Sequence, residues 1–339
     1  MATANQAGSA DQALERFTRD LDTLVAPSAK IGLAVSGGPD SLALLLLAAR
    51  ARPFQVEVAT VDHALRTESR DEAEMVAELC AQLGIPHAIL TADWDEKPAS
   101  AIQERARLMR YRLLGDWARA RGLTAVAAAH HLDDQAETFL MRLARGAGVS
   151  GLAGMRRVTH IAGGVPLVRP LLGWRHSELE AVCADARVDP VEDPSNEDDQ
   201  YERVRVRKAL GQAEWLNSAA ISESASHLAE ADAALQWATD LEWQRAVAHI
   251  GGQIVYKPTN TPREIRRRII RRALLALATE GGGAEPRGRE LEQILVALRT
   301  GRRATLRGVL CIGGPEWRFA RAPARRPTQA SAEIGAVEG

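Results

Sequence analysis

The chain has 339 residues, 46% apolar and 26% charged, the balance of a globular protein long enough for two domains. Its longest apolar run, residues 42–49, is far too short to span a membrane, so no membrane partner is expected. The net charge of −1 hides an asymmetry: residues 1–200 carry −8 and residues 201–339 carry +7, with 17 basic against 6 acidic side chains in 257–326. An acidic half joined to a basic half suits a polyanionic partner held by the second domain, with a solvated arginine-rich surface as the equal alternative.

Residues 11–25 read as an amphipathic helix, with Leu14, Phe17, Leu21, Leu24 and Val25 on one side. A buried strand is expected over 31–35 and a second over 54–61. A helix over 69–83 carries Met75, Val76, Leu79 and Leu83 at helical spacing, with Gly84 beyond its end. A strand over 86–90, a helix over 99–121, a strand over 124–129 and a helix over 132–144 follow. A fifth strand over 165–169 and a short helix over 177–186 complete this half. Alternating strands and helices predict an α/β fold with a Rossmann-like parallel sheet, in which ligands bind beyond the carboxyl ends of the strands.

Beyond residue 200 the pattern changes. Residues 201–208 (YERVRVRK) read as a basic hinge, and 218–250 as mostly helical. Residues 261–279 form a helix with Arg263, Arg266, Arg267, Arg268, Arg271 and Arg272 beside apolar Ile265, Ile269, Ile270 and Leu274. A third helix is expected over 290–299, and short strands over 304–321. The expected domains are therefore 1–210, the catalytic part; 211–325, smaller, basic and mainly helical; and 326–339, a disordered tail. Three scattered cysteines, Cys80, Cys183 and Cys311, form no C-x-x-C and no disulfide framework. With an N-terminus lacking the features of a secretory signal, they point to a reducing cytoplasm.

The most informative stretch is Ser36-Gly37-Gly38-Pro39-Asp40-Ser41, between the first strand and an apolar helix. Strand, glycine turn and helix aim backbone N–H groups and a helix N-terminus at an anion. The loop lacks the Gly-Lys-Ser/Thr of a Walker A motif and is not G-x-G-x-x-G. An acid within a phosphate loop repels the anion unless a metal bridges them, so Asp40 implies Mg²⁺. Asp134 and Glu137 stand three apart at the start of a helix and share a face. Such a pair can bind an ammonium group and accept its proton, although a solvated acidic first turn is the plainer alternative. His130 and His131 are adjacent on an extended segment and point to opposite sides. With no third ligand at helical spacing, nucleotide or structural contacts are favoured for them and for His63, and zinc is a minor option.

The loop resembles the SGGxDS pyrophosphate loop of the N-type ATP pyrophosphatases. Three further segments narrow the resemblance: VDHALR at 61–66, HHLDDQAET at 130–138, and EDPSNED at 192–198 before Tyr201. With RGAG at 145–148 and GLAGM at 151–155, they are similar to the tRNA(Ile)-lysidine synthase family, closely over 28–210 and in outline beyond. The chain looks like a short form with a single C-terminal subdomain. The resemblance implies a ligase that adenylates the wobble cytidine of CAU-anticodon tRNA(Ile) with ATP and Mg²⁺. Free L-lysine then displaces AMP; a homodimer stays an option.

The resemblance also assigns residues. It implies ATP binding by Ser36, Gly37, Gly38, Pro39, Asp40, Ser41 and His63, lysine binding by Asp134 and Glu137, and charge stabilisation by Arg110, for which Arg105, Arg107 and Arg112 compete. Residues 192–208 read as a mobile loop that orders over the tRNA end and the ATP. Alternate spacing puts Arg203, Arg205 and Arg207 on one side of it if extended, toward phosphates or AMP; a salt-bridged helix start is the alternative. Arg266, Arg267 and Arg271 are expected to meet tRNA phosphates. The rival readings are another tRNA-modifying enzyme of the superfamily, such as a thiolase, which would want a C-x-x-C, and a noncatalytic nucleotide- or RNA-binding module.

Overall fold

A computed structural model describes residues 2–63, 68–94, 102–191, 198–278 and 286–323. Residues 64–66 of the second motif, 192–197 of the expected mobile loop and the expected tail lie outside these. The chain divides into two compact units, 1–230 and 231–339.

In the first unit, β1 (Ile31–Ala34), β2 (Val56–Asp62), β3 (His87–Thr91), β4 (Ala125–Ala128), β5 (Val158–His160) and β6 (Pro166–Val168) form one sheet in the order β3-β2-β1-β4-β6-β5. All neighbours are parallel except β5, an antiparallel edge strand that the sequence reading missed. At three residues β5 is too short to show a period. Chain order reverses at β1, between β2 and β4, so the crevice at the carboxyl end of β1 is the topological switch point where such sheets bind ligands.

Alternation divides the sheet's side chains between two cores. Ile31, Leu33, Val56, Val58, Ala125 and Ala127 face α1 (Ala2–Asp22), α2 (Pro39–Ala51), α3 (Glu68–Leu83) and α7 (His176–Asp185). Ala59, Val126, Ala128 and Leu167 face α4 (Ile102–Ala120) through Leu114, Trp117 and Ala118. Glycine is required at position 32, since a Cβ there would stand 2.5 Å from the Trp117 ring. The helix α5 (Leu132–Ala144) follows β4, and a single turn, α6 (Val149–Leu152), follows it.

Residues 201–208 are not an extended hinge. They begin a helix, α8 (Glu202–Gln212), packed against α5. The next helix, α9 (Ser218–Ala246), contains the 230/231 division.

The second unit holds the end of α9, α10 (Arg263–Leu277), α11 (Gly288–Arg299) and an antiparallel sheet. Its strands are β7 (Val247–Ile250), β8 (Gln253–Tyr256), β9 (Arg303–Leu306), β10 (Val309–Ile312) and β11 (Trp317–Arg321), in the order β7-β8-β11-β10-β9. The β7–β8 hairpin lies where the helical reading had run on to residue 250. Gly251 and Gly252 both take positive φ, +56° and +76°, as a two-residue hairpin turn demands. One face of the sheet packs Tyr256, Cys311, Trp317 and Phe319 against Ile269, Ile270, Ile294 and Leu298 of α10 and α11.

Candidate active site

The Ser36–Ser41 loop is closed by its own groups. The Ser41 hydroxyl donates to the Gly38 carbonyl at 2.9 Å and accepts the Ser36 N–H at 3.1 Å. Gly37 sits at φ +92°, a conformation side chains disfavour. Pro39 and Asp40 open the first turn of α2, where proline's missing N–H costs nothing. Ser36, Gly38, Asp40 and Ser41 line a cleft of about 520 Å³ at the carboxyl ends of β1, β2 and β4. Gly37 and Pro39 shape the turn without lining the cleft.

Around the same cleft stand Thr60, His63, Glu72, Arg107, Arg110, Tyr111, His130, Asp134 and Arg203. Of the four competing α4 arginines, Arg107 and Arg110 reach it; Arg112 instead approaches Asp116 on its own helix, at 4.0 Å. The Arg110 Nε is buried without a hydrogen-bond partner. Burial, joined by the positive charges of Arg107 and Arg203, pulls the Arg110 guanidinium below its ordinary value. Arginines crowded in this way are relieved by an anion between them.

At the N-terminus of α5, His131 replaces the usual small polar cap. Its Nδ1 accepts the Asp133 N–H at 3.2 Å, and Asp134 Oδ2 accepts the His131 N–H at 3.1 Å, a reciprocal capping box. His131 Nε2 lies 3.4 Å from Asp40 Oδ2, and Nδ1 of His176, the first residue of α7, bonds Asp40 Oδ1 at 2.7 Å. The two imidazoles stack with centroids 5.4 Å apart. Burial disfavours the Asp40 charge, but these histidines outweigh it and hold the carboxyl far below its usual range. Burial likewise opposes charge on His131, yet Asp133 and Asp40 push it up to about 10; the charged ring turns Nδ1 from acceptor of the Asp133 N–H into a donor facing the Asp133 carboxylate. His130 instead lines the cleft, its Nδ1 accepting from Arg169 Nε at 3.3 Å, and burial pulls it down to about 3, leaving it neutral.

Asp134 and Glu137 do share a face of α5, but they are used differently. Asp134 lines the cleft, with Arg203 Nη2 3.7 Å from its Oδ1. Glu137 is 1% exposed, and its two oxygens meet Arg203 Nε at 2.9 Å and Arg207 Nε at 2.6 Å. Helical spacing puts Arg203 and Arg207 on one face of α8. Arg205 points elsewhere, donating to the carbonyls of Asp199 and Gln200. The expected common side for all three arginines is thus corrected by the helix, and the salt-bridged alternative is what forms.

The expected tRNA-facing arginines of α10 are largely engaged within the second unit. Arg266 donates to the Thr259 carbonyl, Arg267 pairs with Glu264, and Arg268 is held by Asp232 and Glu264. Arg272 pairs with Asp240 and lies over the Trp243 ring, and Arg271 has an interaction of its own. On the sheet, Arg303 and Arg318 flank Ile312 in register on adjacent strands, both exposed.

Sequence reasoning missed His176, Arg169 and Glu72 at or beside the cleft. His176 stands 136 residues from Asp40, with only its place at a helix start to single it out. The GLAGM segment is tied to α5: Arg142 donates to the Gly151 and Gly154 carbonyls, and Gln135 exchanges hydrogen bonds with the Met155 backbone.

A PP-loop domain family matches residues 9–214. Over 317 residues the chain is 49% identical to the tRNA(Ile)-lysidine synthase of Novosphingobium aromaticivorans, covering 93% of this chain and 95% of the relative. It is 41% identical to that of Zymomonas mobilis, covering 88% and 90%. Among solved structures, the U34-tRNA thiolase of Methanococcus maripaludis shares the fold with a TM-score of 0.54 at 16% identity, over 65% of this chain and 79% of that one.

Proposed function

This chain belongs to the tRNA(Ile)-lysidine synthase family, and we propose that it joins the ε-amine of free lysine to C2 of the wobble cytidine in CAU-anticodon tRNA(Ile). ATP first transfers AMP to the cytidine O2 and releases pyrophosphate; lysine then attacks C2 and AMP departs. The observation that carries this reading is one cleft holding an anion-binding loop, three arginines and an accessible carboxylate.

In this mechanism the Ser36–Ser41 backbone and the start of α2 receive the leaving pyrophosphate. Arg110, with Arg107, balances negative charge developing at the α-phosphate and the cytidine carbonyl. His63, just beyond β2, faces the nucleotide. Asp134 receives the lysine ammonium and can accept the proton the amine must lose before it attacks. Glu137 works at one remove, fixing Arg203 at the cleft edge. One carboxylate plus nucleotide oxygens is an ordinary Mg²⁺ environment, and Asp40 lies ionised on the cleft wall, so Asp40 would hold Mg²⁺. When bound, that ion neutralises phosphate charge.

The basic second unit supplies phosphate contacts to the tRNA. No helix among the described residues is long and apolar enough to cross a membrane, and the substrates of the reaction belong to the cytoplasm. The thiolase likeness extends to fold alone; Cys80, Cys183 and Cys311 are all free and buried, and lie far apart in the sequence.

Incubation with ATP, labelled lysine and either CAU-anticodon tRNA(Ile) or initiator tRNA(Met) tests the reading. Label is expected in the first tRNA only. Label in both, or in neither while pyrophosphate is released, rejects it.

A further inference from the structure

We infer that Asp40, His131 and His176 form a binding site for a first-row transition ion of the Mn²⁺, Co²⁺ or Zn²⁺ type, able to fill without nucleotide. One carboxylate oxygen and two imidazole nitrogens, from α2, α5 and α7, lie within 4.8 Å of one another. Ligand atoms around an ion with bonds of about 2.0–2.2 Å stand roughly 3 Å apart. Asp40 Oδ1 lies 2.7 Å from His176 Nδ1 and Oδ2 3.4 Å from His131 Nε2, so a turn of the carboxylate and an approach of the two rings bring the set around one ion.

The surrounding groups are those that orient metal ligands. Asp133 Oδ2 accepts the His176 backbone N–H at 2.9 Å and lies 3.6 Å from His131 Nδ1. One carboxylate therefore fixes the start of α7 and stands where it can accept a proton from His131 Nδ1, the tautomer that frees Nε2 for an ion in place of the acceptor role Nδ1 has in the unfilled cluster. Asp134 Oδ2, 3.6 Å from His131 Nε2, is placed to serve as a fourth donor. His131 is almost fully covered, whereas the side chains of Asp40 and His176 are 28% and 42% exposed, which gives an ion a way in.

The donor set decides the ion. Mg²⁺ takes oxygen ligands and keeps its waters; two imidazoles with one carboxylate suit borderline first-row ions. The proposed ligation reaction shares Asp40 and, where it serves as fourth donor, Asp134 with this site, but neither His131 nor His176, so the imidazole pair gives the site a property of its own. An ion there ties the anion loop to the first turns of α5 and α7. The competing account is a hydrogen-bonded cluster that takes no metal.

The test uses the full chain stripped of metal, without ATP, lysine or tRNA, so that failure of the ligation reading and failure of this one stay distinct. Titration with Co²⁺, followed by its visible d–d bands and by calorimetry, is expected to give one ion per chain. A large excess of Mg²⁺ should not displace it. His176→Gln and Asp40→Asn should each weaken binding by about a hundredfold or more, beyond the effect of losing a supporting partner. His160→Gln, at an exposed histidine on β5, should leave it unchanged. Circular dichroism confirms folding of each variant. Absence of binding, displacement by Mg²⁺, or wild-type affinity in a folded His176→Gln overturns the site.

Discussion

Arg207 Nε donates to Glu137 Oε1 at 2.6 Å across 70 residues of chain, inside an acidic face that lysine was expected to occupy. With Arg203 on its other oxygen, Glu137 is already neutralised by guanidinium groups, which match a lysine ammonium in charge. Of this pair, only Asp134 lines the cleft.

The two acids should therefore fail differently when changed. Asp134→Asn is expected to raise the KM for lysine at least about tenfold, a loss near 1.4 kcal/mol, and to leave the KM for ATP within a factor of two. Glu137→Gln should instead lower unfolding free energy by about 1–3 kcal/mol, the arginines being half exposed. Steady-state kinetics and urea unfolding separate the two. A lysine defect confined to Glu137→Gln would reverse the assignment.

Arg110 is buried, short of a partner at Nε and crowded by like charge. If it balances charge in adenylation, Arg110→Ala should slow pyrophosphate release by about 10²–10³-fold. Arg112→Ala, on a residue that approaches Asp116 at 4.0 Å, should change it little. Single-turnover measurements with ATP and tRNA check both.

Glu242 gives the second unit an acid-sensitive point. Burial opposes its charge, but hydrogen bonds from Thr261, Arg245 and Tyr256 hold its carboxyl below the ordinary value of 4.5. The folded value lies below the unfolded one, so the stability it contributes is full above about pH 4.5 and is lost as pH falls through the folded value. Glu242→Gln should flatten the dependence of Tm on pH below pH 5. At pH 7 it should cost about 1–3 kcal/mol. An unchanged acid limb in thermal melts would remove Glu242 from the account.

For tRNA, the arginines of α10 and the exposed ones on the sheet, where Arg318 approaches Glu316 at 3.5 Å and is 55% exposed, make opposite forecasts. Charge reversal at Arg303 and Arg318 should weaken tRNA binding and reduce the salt slope by about one unit for each phosphate no longer neutralised. Arg268→Ala should lower stability and leave the salt slope unchanged, because Arg268 is 9% exposed between Asp232 and Glu264. Filter binding across a salt series, with melts of each variant, decides this. Equal binding by the Arg303/Arg318 variant would move the tRNA-binding surface elsewhere.

Local chemistry wrote the first unit plainly into the chain. The strand, glycine turn and helix around Ser36–Ser41 and the α/β alternation each depend on neighbours a few residues apart, so a linear reading reaches them. The same reading made a pair of Asp134 and Glu137, because helical spacing fixes which residues share a face. It could not tell that α8 would bring Arg203 and Arg207 onto Glu137. The sequence YERVRVRK alternates like a strand, and packing against α5 decides that it is a helix. Nor could it bring His176 to Asp40, since that meeting depends on α7 packing on α2 after five intervening strands. The arginines of α10 were countable in the chain, but their charge is cancelled by Asp232, Asp240 and Glu264 only once the helices pack. Sequence by itself determined the fold class, the anion loop and the family. Tertiary structure alone decided which charges face the cleft and which face one another, because ionic partners are chosen by distance in space and not along the chain.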